Sequence, residues 1–474
     1  MSKYKKLVNN SAIFAIGNFG SKFIGILMLP LYTHELTQAE YGQIELITVT
    51  LSLIIPLLTL TIVEAIVRFS LEKKPNRYNE VISNSLLIIL CSFVLLLLLY
   101  PLLSQIEFIN NFLGYFYILY IVQALQGAVK QFTRSINLTS VFMVSDLILT
   151  ASLAIFNITF LVFWDLGIEG YLLSLILAYF INFLFLLVKS KAYLFVNMKY
   201  LNKKLIISMI LYCLPLVPNN IMWWVINISD RYLIAYYLGL SSSGLYAIAS
   251  KIPMLVSSMS SVFFNAWQIS AIEESENDGK EEFYSKVFAT FFFVMVTIAS
   301  IYISFNKQVI SIIVDSSYYE AWKYIPILIM AVVFSSFASF IGTNYVAMKK
   351  TKGAFYSSLV GGIVNVLLNL ILIPQIGLYG ASISTMIGFL VMWIYRIFDT
   401  KKYVVIEYPS IRIVFSIVLL FIQIIIGYLP LTFIISLLLN LIMLSVIILV
   451  GLKFISEPAR IILNKLFLKR YFTK

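Results

Sequence analysis

Apolar residues along this chain come in long unbroken blocks, with the polar positions gathered between them. Runs such as Leu95–Leu99 and Ile424–Ile426 do not alternate in polarity, as the strands of a membrane barrel would. A helix needs roughly 20 apolar residues to cross about 30 Å of hydrocarbon. Fourteen blocks fit that length: 11–33, 42–67, 81–103, 112–135, 141–163, 168–188 and 205–235, then 244–272, 284–305, 324–347, 354–373, 378–397, 411–428 and 431–454. The first is not a cleaved signal, because it lacks a small-residue cleavage site and a polytopic chain follows it. The pattern predicts an all-α polytopic membrane protein with about 14 transmembrane helices.

Composition agrees. Of 474 residues, 61 % are hydrophobic and 12 % charged, against roughly half and a quarter in a soluble domain. That excludes a soluble enzyme, a disordered scaffold and a secreted disulfide module. Cys91, Cys213 and His34 are too few soft ligands for a zinc or iron–sulfur centre, so no metal and no cofactor is expected. Both cysteines lie in apolar runs, outside any disulfide framework.

Lysine and arginine mark the cytoplasmic side of a membrane protein. Here 29 of the 34 fall at the N-terminus, at the even-numbered connections and in the tail from Lys453. The other side has Arg231, Lys307 and Lys323, while Lys22 and Lys251 lie inside spans. The split predicts cytoplasmic N- and C-termini, and makes the net charge of +12 a topology signal rather than a mark of nucleic-acid binding. The basic stretch Arg460–Lys474 is expected to lie on anionic lipid headgroups.

Two short patterns repeat. Leu36-x5-Gly42 recurs 202 residues later as Leu238-x5-Gly244, each between two predicted helices. Gly167-x2-Gly170-x3-Ser174-x3-Ala178 recurs 210 residues later as Gly377-x2-Gly380-x3-Ser384-x3-Gly388, a tight turn followed by a small-residue helix face. The offsets predict two parallel six-helix lobes, 1–200 and 201–405, followed by an extra helix pair with a basic cytoplasmic tail at 406–474. Paired repeats of this kind build alternating-access transporters, with the substrate site between them, and a duplicated channel or enzyme would show the same pattern.

Charged and amide side chains inside spans need a reason, since a mid-helix lysine costs roughly 2.5–3.5 kcal/mol. Lys22 sits at the centre of the first span, with Asn18 on its face. Lys251 begins a face continued by Ser258 and Asn265. Gln123, Lys130 and Arg134 form a stripe on the fourth span, and Asn220, Asn227 and Arg231 one on the seventh. These stripes are candidates to line a wet, cationic interior. Lys130 and Arg134 also lie near enough to a helix end to snorkel. Glu64, Asp146 and Asp230 are candidate ion-coupling or structural acids; Glu64 with Arg68 also fits a helix-end pair, whereas adjacent Asp230 and Arg231 point roughly 100° apart and need not pair.

No Walker-type phosphate loop occurs, and a single histidine leaves no nucleophile–histidine–acid set. Catalysis is not expected.

The order and spacing of several segments resemble the polysaccharide flippases of the multidrug/oligosaccharidyl-lipid/polysaccharide exporter superfamily, the O-antigen or capsule repeat-unit translocases. The carriers are Gly17-Asn-Phe-Gly-Ser-Lys22, Leu29-Pro-Leu-Tyr-Thr33 with Tyr41-Gly42, Glu64-Ala-Ile-Val-Arg68, Leu214-Pro-Leu-Val-Pro218, Ser229-Asp-Arg-Tyr-Leu233, Gly244-Leu-Tyr-Ala247 and Lys251-Ile-Pro253. The resemblance implies two six-helix lobes in a V. It also implies transport of undecaprenyl-pyrophosphate-linked oligosaccharide across the bacterial cytoplasmic membrane, from the cytoplasmic to the periplasmic leaflet. Lys22, Arg231 and Lys251 would engage the anionic head, with a polymerase and other glycan-assembly proteins as partners. Two readings compete: a cation-coupled drug antiporter of the same superfamily, for which Lys22 has the wrong sign, and a membrane polysaccharide polymerase or ligase.

Overall fold

The computed structural model describes residues 20, 22–72, 74–273, 279–348 and 351–471. Among them there is no strand, and eleven helices are long and apolar enough to cross a membrane. Three features relate these eleven to the fourteen apolar blocks. Much of the first block lies outside the described residues. Leu113–Ser135 is not one of the eleven, because Gln123, Gln126, Lys130, Gln131 and Arg134 dilute its apolar run. The seventh and eighth blocks share one stretch, Leu216–Ser261.

The described residues divide after Ile248 into two compact units. The first contains α1 (Leu29–Glu35), α2 (Gln38–Leu58), α3 (Ile62–Ser70), α4 (Arg77–Leu98), α5 (Leu113–Ser135), α6 (Thr139–Asn157), α7 (Gly167–Ser190), α8 (Lys203–Cys213), α9 (Leu216–Ile228) and the start of α10 (Asp230–Glu273). The second holds the rest of α10, then α11 (Lys280–Ile313), α12 (Ile325–Ala347), α13 (Thr351–Ile376), α14 (Leu378–Thr400), α15 (Ser410–Tyr428) and α16 (Phe433–Tyr471).

Local chemistry sets the boundaries. Thr37 starts α2 earlier than the apolar block suggests, through a capping box: its hydroxyl accepts from the Glu40 amide and the Glu40 carboxylate accepts from the Thr37 amide. The single block 42–67 is broken into α2 and α3 where Leu60 and Thr61 take positive φ. The block 205–235 is likewise split, by breaks around Pro215 and Ser229, and α10 bends at Gly239 (φ 85°) before continuing. The stretch 306–323, between the blocks 284–305 and 324–347, is the end of α11 followed by a 3₁₀ turn, Ser316–Lys323. Gly167 and Gly377, the heads of the second repeated pattern, both have positive φ and both open a helix, as a tight turn requires. Gly170, Ser174 and Ala178 on α7, and Gly380, Ser384 and Gly388 on α14, are buried. An added Cβ on Gly388 would press on Asn365 and the Gly361 carbonyl of α13.

The first unit packs around two apolar clusters. One joins Ile47 and Leu51 of α2 to Phe116, Leu119 and Tyr120 of α5 and to Leu172 of α7. The other joins Ile62 and Ile66 of α3 to Val81 and Ile82 of α4, Phe132 of α5 and Met209 of α8. The second unit has an aromatic core, where Trp267 stacks on Phe340 at 4.5 Å and Phe292 on Phe337 at 4.7 Å. Arg396 crosses this unit as a polar strap: it donates to the Ala338 carbonyl (2.7 Å) on α12 and to the Ser357 (2.9 Å) and Ser358 (3.0 Å) hydroxyls on α13.

Candidate functional site

Asn18 and the side chain of Asn265 lie outside the described residues. Lys22 is half-buried in the helical residues preceding α1. Lys130 on α5 pairs with Asp146 on α6, and the Phe142 ring lies beneath it (4.9 Å) and beneath Arg134 (5.8 Å). The ring and the carboxylate together offset the repulsion between two cations four residues apart. Behind them, Gln126 donates to Asn182 (2.7 Å), which donates to the Ser145 carbonyl. Gln123 is half-buried; Glu64 is exposed, and Arg68 reaches Glu72 (3.9 Å) as its acid partner.

Asn220 and Asn227 on α9 are exposed although their helix spans the apolar region; Asn227 donates to the Trp223 carbonyl (2.7 Å). Lys251 is half-buried, whereas Ser258 is buried and donates to the Met254 carbonyl (2.6 Å).

At the lysine-poor end of the first unit, the stripe of Asn220, Asn227 and Arg231 ends in a cluster around Arg231. Arg231 donates to the neighbouring Asp230 carboxylate (2.7 Å), because its long side chain spans the angle that separates adjacent positions on a helix. Tyr246 donates to the other Asp230 oxygen (3.0 Å), and Arg231 lies over the Tyr246 ring (5.5 Å). Arg231 also reaches Glu45 on α2 (3.7 Å). A turn away, Tyr232 and Thr50 share a hydrogen bond (2.6 Å), and the Trp224 indole donates to the Val49 carbonyl (3.1 Å). Ser241 donates to Gln38 (2.6 Å).

Sequence reasoning found Gly42 and Gly244 but not that they touch. A Cβ on Gly42 would overlap the Leu240 carbonyl oxygen, and one on Gly244 would overlap the Gln38 carbonyl oxygen. Each contact becomes the other when the first-half residue is advanced by 202 positions and the second-half residue set back by 202. α2 and α10 thus cross backbone to backbone about a local two-fold. The Leu-x5-Gly spacing was the available signal; the contact itself needed the fold.

The second unit also has a cavity of about 1560 Å³ among α10, α11, the 405–409 segment and α16. Phe263, Phe291, Met295 and Phe454 make its walls apolar, and Glu281, Glu282, Lys286, Glu407 and Lys453 add charges of both signs to its lining. Nothing in the residue pattern pointed to it, because its walls come from helices distant in sequence.

Residues 7–268, more than half of the chain, match the polysaccharide biosynthesis protein family. An uncharacterised membrane protein of Methanocaldococcus jannaschii is 30 % identical over 118 residues, which is 25 % of this chain and only 23 % of that protein. Among solved structures, the lipid II flippase MurJ in an inward closed conformation superposes over 95 % of this chain and 100 % of its own, with a TM-score of 0.71 and 16 % identity. The outward-facing form of a multidrug resistance MATE family transporter of the MOP superfamily covers 86 % of this chain and 95 % of its own, with a TM-score of 0.60 and 14 % identity. The chain is therefore a polytopic helical membrane protein with the exporter fold, and it belongs to the polysaccharide biosynthesis protein family.

Proposed function

We propose that this protein is a flippase that moves an undecaprenyl-pyrophosphate-linked oligosaccharide from the cytoplasmic to the outer leaflet of a bacterial cytoplasmic membrane. The carrying observation is the seam at the lysine-poor end, where glycines bring α2 and α10 together and Glu45, Asp230, Arg231 and Tyr246 link them. A transporter that works by alternating access needs such a contact, closed in one state and parted in the other. In this reading the lysine-rich end is cytoplasmic, with both termini on that side. The lobes 1–200 and 201–405 are the moving bodies, and 406–474 is an added helix pair whose basic tail rests on anionic lipid.

Lys22, Arg231 and Lys251, with Lys130 and Arg134, bias the route toward an anionic head. Asn220 and Asn227 keep part of it wet. The apolar cavity with charges in its lining suits a substrate that is a lipid at one end and polar at the other. The flippase fold of the structural relative and the polysaccharide family both support this substrate class. A cation-coupled drug exporter is less well supported, because Asp146 is already paired with Lys130.

The test is a lock on the seam. In a background lacking Cys91 and Cys213, Gln38→Cys with Ser241→Cys places two thiols where a hydrogen bond now lies. Oxidised protein in vesicles should stop translocating lipid-linked oligosaccharide, and reduction should restore it. Full transport by the oxidised protein would remove the gate, and absence of transport by the unlocked protein with several lipid-linked glycans would remove the flippase.

A further inference from the structure

The C-terminal helix pair has a surface that the transport route does not use. Only residues 429–432 join α15 to α16, so the two run antiparallel and the start of α15 lies beside the far end of the apolar stretch Phe433–Phe454. At that lysine-rich end an open groove of about 250 Å³ lies between them. Arg412 from α15 and Lys453 from α16 supply its charge, and Ile411, Phe415, Leu449 and Val450 supply its apolar lining. No acid among the described residues lines it. Ile411 is 88 %, Leu449 69 % and Phe415 45 % exposed, so the apolar part of the groove is open to the surroundings. Lys453 also lines the large cavity, so Arg412 is the cation that distinguishes this groove.

Two features set the groove apart from an ordinary basic flank. The Arg412 guanidinium lies over the Phe454 ring at 5.3 Å, and that ring stacks on Phe293 of α11 at 5.0 Å. The cation is therefore held against α16 instead of reaching freely into water. On both walls, charge also gives way to hydrocarbon with depth. Phe415 lies one turn deeper than Arg412 on α15, and Leu449 one turn deeper than Lys453 on α16. Two like charges that line one small space repel each other unless an anion stands between them. A zwitterionic head would bring its own ammonium to the same place, whereas basic pockets between membrane helices suit anionic head groups. We propose that this groove binds one anionic phospholipid, with its phosphate between Arg412 and Lys453 and an acyl chain along Phe415 and Leu449.

To test this, full-length protein stripped of lipid in a neutral detergent is titrated with phosphatidylglycerol or with phosphatidylcholine of the same chains, and bound lipid is counted by native mass spectrometry. One phosphatidylglycerol should bind per chain, with phosphatidylcholine at least about tenfold weaker. A basic side chain near an anionic head is worth about fivefold in affinity, so Arg412→Gln should cost about that and Arg412→Gln with Lys453→Gln about thirtyfold. Both side chains are exposed, so neither substitution opens a buried space. Lys465→Gln with Lys469→Gln, in the basic tail, should leave binding unchanged. Loss in the tail variant with none in Arg412→Gln would overturn the groove as the site. Equal affinity for the two lipids would overturn the anionic head. Displacement by an equal concentration of glycerol phosphate would overturn the lipid and leave a soluble anion as the occupant. Tighter binding of undecaprenyl phosphate through the same two cations would overturn the phospholipid and leave the transported carrier there instead. Because no transport is measured, failure here leaves the flippase reading untouched.

Discussion

At the scale of single residues, backbone contacts and buried charges make the sharpest demands. Gly42→Ala and Gly244→Ala each put a methyl group where a carbonyl oxygen of the opposite helix now lies. Either should part the seam and lower glycan translocation at normal membrane abundance. Gly25→Ala meets nothing within 4 Å and should be neutral in the same assay. For Lys22, if positive charge is what matters, Lys22→Arg should keep much of the activity while Lys22→Ala and Lys22→Glu lose it with the protein still inserted. Normal export by Lys22→Ala at normal abundance would sink the anion-site role. Lys22, Lys130 and Arg231 were all visible as charges in apolar blocks. Their partners were not: Asp146 and Glu45 come from other helices, and a pattern read along one helix says nothing about what faces it.

Among the elements, the apolar blocks located the helices well, but their breaks followed backbone conformation that hydropathy does not register. Leu60 and Thr61 are ordinary apolar-block residues until their φ turns positive, whereas the bend at Gly239 in α10 falls in the gap between the blocks 205–235 and 244–272. The small-residue pattern was legible further, since Gly167 and Gly377 both proved to be turn heads. The strap through Arg396 was not. Lysine and arginine near a helix end read as a cytoplasmic flank, yet this one is 4 % exposed and joins three helices. Arg396→Met keeps an unbranched chain but removes the buried hydrogen bonds that join α14 to α12 and α13, bonds to a charged group that are worth about 1.5–3 kcal/mol each. Detergent-solubilised protein should then melt at a lower temperature, while Arg412→Met, on an exposed helix face, should melt as the wild type does.

For the whole molecule, the charge split makes a testable map. Reporter fusions after Lys74, Lys203 and Lys402 should read cytoplasmic, and fusions after Thr37 and Gly377 should read periplasmic. A periplasmic signal after Lys402 would contradict an even number of spans before it. The fold as a membrane bundle was legible from block length alone. The large cavity was not, because it is assembled from helices far apart in the chain. The crossing of Gly42 and Gly244 has a further consequence for how the chain can vary. Where main chain meets main chain, neither surface carries side-chain identity, so the junction is blind to its surroundings. That contact alone fixes the two glycine codons, while Tyr41 and Ser243 beside them are held separately by burial. A methyl group at Gly42 should therefore not be rescued by any second change in the side chains around it, since what it meets is a main-chain oxygen.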